Sequence, residues 1–253
     1  MQLPWARRNI SENRLFVTVL VLSVLFAASA SLFIGLHQSV WFDEAYSILL
    51  AKHSVTEIVR LTGLDTHPPF YYLLLKGWAS LFGWSELALR TLSVVSMSGA
   101  LVVGGLLVRK MFGNKVAVGT VILLALSPLL LRYGFEIRMY SLASFIGVSA
   151  TYCLYSAYKS KENRRKWLIG YGALVALGMF SLYYLVLLWV AHAVWLIVVA
   201  VRNKWRVSSL LPYLYAYLGA IVLFLPWLPT LIRQVWNDAL APIGQPMNYE
   251  QLS

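Results

Sequence analysis

An all-α, polytopic membrane protein with about seven transmembrane helices is the fold class that this sequence predicts, and three observations predict it. The 253-residue chain is 60% hydrophobic and 12% charged, whereas soluble domains carry about 25% charged residues. Apolar runs of the length needed to cross a bilayer recur along the whole chain. The polar stretches between them alternate in charge, basic and then acidic.

The first run, Leu15–Leu36, spans 22 residues and continues past the small residues "FAASAS". A signal peptide's apolar region is only about 7–15 residues long, so this reads as a retained span. Further runs fall at Leu87–Val108, Val116–Leu131, Met139–Tyr158, Trp167–Val201 and Ser208–Ile232. Val116–Leu131 is short for a span and needs flanking residues. As a single helix Trp167–Val201 would be about 52 Å long at 1.5 Å per residue, far beyond the ~30 Å hydrocarbon core. A break in "GMFSLYY" (178–184) turns it into a hairpin of two spans, which makes seven.

Charge placement agrees. Arg7, Arg8 and Arg14; Arg109, Lys110 and Lys115; "KSKENRRK" (159–166); and "RNKWR" (202–206) together hold 14 of the 21 Lys and Arg. With seven spans all four clusters share one face, and eight of the ten acids lie in loops on the other. The positive-inside rule then places the N-terminus and the basic clusters in the cytoplasm, an expectation of a multi-pass plasma (inner) membrane protein. That placement accounts for the net charge of +11 without a nucleic-acid partner. The single cysteine, Cys153, excludes an internal disulfide.

The first outward loop, 37–86, holds the unusual residues. Trp41 and Phe42 suit the aromatic belt of a membrane interface. Asp43 and Glu44 follow at once, either as an ordinary helix-start pair or as carboxylates that carry chemistry. Ser54 and Glu57 form a capping-box pattern, with Gly63 as the expected end of that short helix. "HPPFYYLLLKGWASLF" (67–82) is too short to span and reads as an interfacial or re-entrant helix. Arg90 lies about one turn inside the second span, where a charge is costly and is usually functional or snorkelling; Glu86, one turn earlier, is its obvious protein partner. "RYGFEIRMY" (132–140) brings Arg132, Glu136 and Arg138 to the same face.

Taken together, "WFDEAYS" (41–47), "THPPFYYLLLKGWASLFGWSELALRTLS" (66–93) and "RYGFEIRMYSL" (132–142) resemble the GT-C glycosyltransferases, and among them the dolichyl-phosphate-mannose-protein mannosyltransferase-like family, glycosyltransferase family 39. The resemblance covers nearly the whole chain. It implies one catalytic membrane module over 1–253, shorter than the usual member, which has further spans and often a soluble C-terminal domain. The implied reaction is inverting transfer of a sugar from a polyprenyl-phosphate-linked donor to a protein or glycan hydroxyl on the extracytoplasmic face. Asp43 stands at the family's acid–base position, and Glu44 would orient it or bind acceptor. His67, Arg90 and Arg138 are the candidates for the donor phosphate; relatives have Lys where His67 stands. Glu136, Tyr140 and Lys76 would support them, Glu136 by holding Arg138 or His67. Many such enzymes need no metal and some use a divalent cation, for which Asp43 and Glu44 are the available ligands. Two other readings stand beside this one: a transporter or flippase of lipid-linked saccharides, expected to place ionisable groups or broken helices near mid-bilayer, and an inactive assembly subunit.

Overall fold

In a computed structural model describing residues 4–160 and 162–240, with side chains described from 11 to 160 and from 162 to 237, twelve α-helices and two short 3-10 turns account for the secondary structure of the described residues. Arg7, Arg8, Lys161, Asp238 and Glu250 have side chains outside those ranges.

The described residues run from one end of a helix bundle to the other seven times. Helix α1 (Pro4–Leu36) makes the first crossing. Three short helices follow at the far end: α2 (Phe42–Lys52), α3 (Val55–Leu64) and α4 (Phe70–Phe82). Helix α5 (Glu86–Phe112) returns. Ser85 caps its N-terminus by accepting the Ala88 N–H at 3.3 Å, Glu86 lies in its first turn, and Arg109 and Lys110 in its last. These charges match the helix dipole. The short third crossing is two helices, α6 (Asn114–Ala125) and α7 (Pro128–Tyr133), divided where Pro128 cannot extend the preceding ladder. Helices α8 (Tyr140–Lys159), α9 (Arg164–Ser181), α10 (Leu185–Arg202) and α11 (Leu211–Phe224) complete the bundle. A 3-10 turn containing Pro226 then redirects the chain into α12 (Leu228–Leu240). Four segments are each long and apolar enough to cross a membrane: Ser11–Leu36, Glu86–Phe112, Leu185–Arg202 and Leu211–Asn237. The other three crossings are shorter or more polar.

The long run does break at Ser181, and Tyr171 of α9 meets His192 of α10 at 3.1 Å across the resulting hairpin. Arg109 and Asn114 both donate to Asn13, and Lys110 donates to Ser156, which collects the starts and ends of α1, α5, α6 and α8 at one end. At the opposite end Gln234 of α12 donates to the Thr62 carbonyl of α3. Basic clusters and acid-rich loops therefore occupy opposite ends of the bundle.

Packing follows membrane logic, in which small residues let helices approach. A Cβ on Gly172 would sit 2.9 Å from the Ala216 carbonyl oxygen, so only glycine permits this approach of α9 to α11. Phe16 and Leu20 of α1 pack with Leu101, Ala117 and Val121 of α5 and α6. At the acid-rich end, Ile58, Tyr71, Tyr72 and Leu75 of α3 and α4 pack on Leu89 and Leu92 of α5 and Ile137 of the loop before α8. The interfacial helices thus rest on the bundle's end, with Phe42, Leu49 and Leu81 left exposed on their outer side.

Two local expectations change. Ser54 caps α3, accepting the Glu57 N–H at 3.2 Å, but Glu57 turns to Arg60 at 2.5 Å and the reciprocal half of the capping box is not made. Gly63 lies inside α3, which ends one residue later with Asp65 as its C-cap. The carbonyl of Gly63 accepts the Arg233 guanidinium of α12 at 2.9 Å.

Candidate active site

The two adjacent carboxylates have different fates. Helix α2 starts at Phe42, so successive side chains point about 100° apart around its axis. Glu44 turns inward and is 1% exposed. Its Oε1 accepts the Ile137 N–H at 2.9 Å, and its Oε2 lies 3.3 Å from Arg90 and 3.4 Å from the Trp41 N–H. Glu44 therefore closes the first turn of α2 and latches that helix to α5 and to the loop before α8. Asp43 faces outward with 35% of its side chain exposed.

Arg90, also 1% exposed, is enclosed by protein acceptors. It donates to the Gly35 and Gln38 carbonyls at the end of α1, and it pairs with Glu44 and, at 2.6 Å, with Glu86 one turn earlier on its own helix. This answers the question of how a span tolerates the charge. It also gives Arg90 the geometry of a brace joining α1, α2 and α5.

Arg138 holds the central position. The loop before α8 is fixed by the Glu44–Ile137 bond and by Ser93, whose hydroxyl donates to the Glu136 carbonyl. That carbonyl also takes the Arg138 N–H at 2.7 Å. The Arg138 guanidinium lies 3.7 Å from Asp43 Oδ2, 3.4 Å from His67 Nε2 and 3.5 Å from Ser47 Oγ, and over the Tyr140 ring at 5.9 Å. Burial opposes its charge, but the phenols of Tyr72 and Tyr140 and the Asp43 carboxylate outweigh burial and hold Arg138 above the usual guanidinium value. Because Arg138 can only donate, His67 Nε2 accepts, and the ring proton sits on Nδ1, 3.1 Å from Asp65 Oδ2. Asp65 also receives the Tyr46 hydroxyl at 3.0 Å. Burial pushes the Asp65 carboxyl up, yet its bonds from His67, the Thr66 N–H and Tyr46 prevail and hold it below the usual carboxylate range. Asp65, His67, Arg138 and Asp43 thus form a continuous polar chain across the α3–α4 turn, the loop before α8, and α2.

One expected contact is replaced by another. Glu136 does not hold the side chain of Arg138 or His67; its carboxylate pairs with Arg132 at 3.4 Å. Burial pushes the Glu136 carboxyl up, partly offset by Arg132. Lys76 reaches the Ala51 carbonyl at 3.5 Å, in the last turn of α2, away from Asp43 in its first turn. Both Glu44 oxygens accept protein donors, and the cation beside Asp43 is Arg138. No group of three or more potential metal-binding side chains occurs among the described residues. Asp65 and Tyr46 are site residues that sequence reasoning did not select. Their only signal is the Asp65-Thr66-His67 spacing. His192, mid-way along α10, also went unnoticed; Thr151 and Tyr171 engage both of its ring nitrogens at 3.0 and 3.1 Å.

A polytopic helical bundle whose half-buried carboxylate faces a fixed guanidinium at one end has the makings of a membrane-embedded transferase. Comparison with known families agrees. The pattern of the dolichyl-phosphate-mannose-protein mannosyltransferase family matches residues 66–229, which include His67, Arg90 and Arg138 and begin after Asp43 and Glu44. The chain belongs to this family of membrane glycosyltransferases. No curated protein and no solved structure matched.

Proposed function

We propose that this chain transfers a sugar from a polyprenyl-phosphate-linked donor to an acceptor hydroxyl at the membrane surface that carries α2–α4, the extracytoplasmic face by the positive-inside rule. The observation that carries this reading is the half-buried Asp43 carboxylate 3.7 Å from the Arg138 guanidinium, at the interfacial end of the bundle. A protein or glycan hydroxyl is a weak nucleophile, and Asp43 accepts its proton as the oxygen attacks the anomeric carbon. The bond between that carbon and the phosphate oxygen breaks on the opposite side, and the electron pair leaves with the polyprenyl phosphate. One such displacement inverts the anomeric configuration.

The growing phosphate charge needs a cation already in place. Arg138 supplies it, aligned by His67, Ser47 and Tyr140. His67 in turn is aligned by Asp65, so it acts on the phosphate through Arg138. Glu44 and Arg90 touch no substrate in this scheme and hold α2 and the loop before α8 in register.

The test is turnover of the full protein in proteoliposomes with polyprenyl-phosphate mannose and an envelope extract as acceptor source. Acceptor-dependent release of free polyprenyl phosphate is the expected result. Movement of the intact lipid-linked sugar between leaflets, with no bond cleaved, would overturn the reading in favour of a transporter.

A further inference from the structure

A sizeable cavity lies away from the candidate active site. It is a groove of about 890 Å³ between α9 and α11 that reaches the basic end of the bundle. Its walls include Ile169, Ala173, Ala216, Gly219 and Leu223, and its mouth carries Glu162, Arg164 and Arg165. Small residues create it. The helices touch at Gly172 and Ala216, whereas a Cβ on Gly219 would meet nothing within 4 Å.

One polar atom at the mouth lacks a partner: Arg164 Nε is buried and has no hydrogen-bond partner among the described residues. Buried polar groups are almost always satisfied, so an orphaned donor calls for an explanation. An apolar slot with cations and an unsatisfied donor at one mouth is complementary to one kind of molecule.

We propose that this groove binds an anionic phospholipid, with an acyl chain between α9 and α11 and the phosphate held at Arg164 and Arg165. Basic pockets between transmembrane helices on the cytoplasmic side are known to suit anionic headgroups. Glu162 leaves the mouth net positive, since Lys166 adjoins the two arginines. A second copy of the chain fits less well, because it would bring two such basic mouths together. The donor lipid does not fit either: its phosphate belongs beside Arg138, and the 18 residues of α9 separate the two ends by about 27 Å. Apart from excluding the donor lipid, the inference does not rest on the reaction proposed above.

Native mass spectrometry of the purified full chain tests it, with phosphatidylglycerol, cardiolipin and phosphatidylcholine as probes. The wild type retains the two anionic lipids in preference to phosphatidylcholine. Arg164→Gln combined with Arg165→Gln weakens anionic-lipid retention by roughly 30-fold, the order expected for two cations near a membrane surface. Gly219→Leu fills open space, so it leaves the thermal unfolding temperature unchanged while reducing retention of every lipid. Equal retention of anionic and neutral lipids by the wild type would overturn the proposal. So would full anionic-lipid retention in Gly219→Leu, or a wild-type dimer that this substitution abolishes without affecting lipid retention.

Discussion

Asp43 and Glu44 are neighbours in sequence and face opposite surroundings, because one step along a helix turns a side chain by about 100°. Glu44 and Arg90 are each 1% exposed and paired, and removing one partner of such a pair typically costs about 3–5 kcal/mol. Glu44→Gln and Arg90→Lys are therefore expected to lower the unfolding temperature clearly, the lysine because one ammonium cannot reach Glu44, Glu86 and two carbonyls at once. Thermal unfolding in detergent checks this; unchanged stability in both variants would contradict the bracing role. Two other carboxylates have opposite pH signatures. The folded-state value of Asp65 is depressed, so its contribution is present above the ordinary carboxylate range and is lost as pH falls through the depressed value. That of Glu136 is raised, so its contribution is present below the ordinary range and is lost as pH rises through the raised value. Asp65→Asn should thus destabilise at neutral pH and Glu136→Gln should stabilise. Both gaps should close as pH is lowered past the carboxylate range, as unfolding measured from pH 7 to pH 4 and below would register. Asp43, His67 and Arg138 were legible in the sequence through type and order. Asp65 was not selected, because its two-residue spacing from His67 does not by itself show that the carboxylate folds back onto the ring.

At the scale of elements, α12 straps the site's rear. Gln234, 6% exposed, donates to the Thr62 carbonyl at 2.8 Å and also to that of Asp65, and accepts the Tyr183 hydroxyl at 2.8 Å. Tyr183 in turn accepts Trp227 Nε1 at 2.7 Å. This network joins the α9–α10 turn and α12 to the segment bearing Asp65 and His67. Gln234→Ala would leave several buried groups unpaired, at about 1–3 kcal/mol each. The expected outcome is a lower unfolding temperature and faster hydrogen exchange at residues 62–67; unchanged exchange there would deny the strap. The sequence revealed the interfacial helices, the hairpin break and the division of faces, because those depend on local apolar length and charge. It did not reveal that the Gly63 carbonyl accepts Arg233 of α12, 170 residues away.

The whole molecule is organised as two chemically distinct ends joined by seven crossings. Cysteines placed at Ser54 and Asn237 should be labelled from outside intact cells, whereas those at Asn114 and Asn203 should not; external labelling at position 203 would remove the α9–α10 hairpin and the seven-pass path. The central claim is that the end bearing α2–α4 performs glycosyl transfer with Asp43 as base. Asp43→Asn keeps the side chain's shape and removes its basicity, and lost general-base catalysis costs about 10²–10⁴-fold. The direct measurement is single-turnover release of polyprenyl phosphate from polyprenyl-phosphate mannose, with donor binding measured in parallel on wild type and Asp43→Asn. The account predicts a release rate lower by at least about 10²-fold with donor affinity unchanged. An Asp43→Asn protein that releases polyprenyl phosphate at the wild-type rate would contradict it.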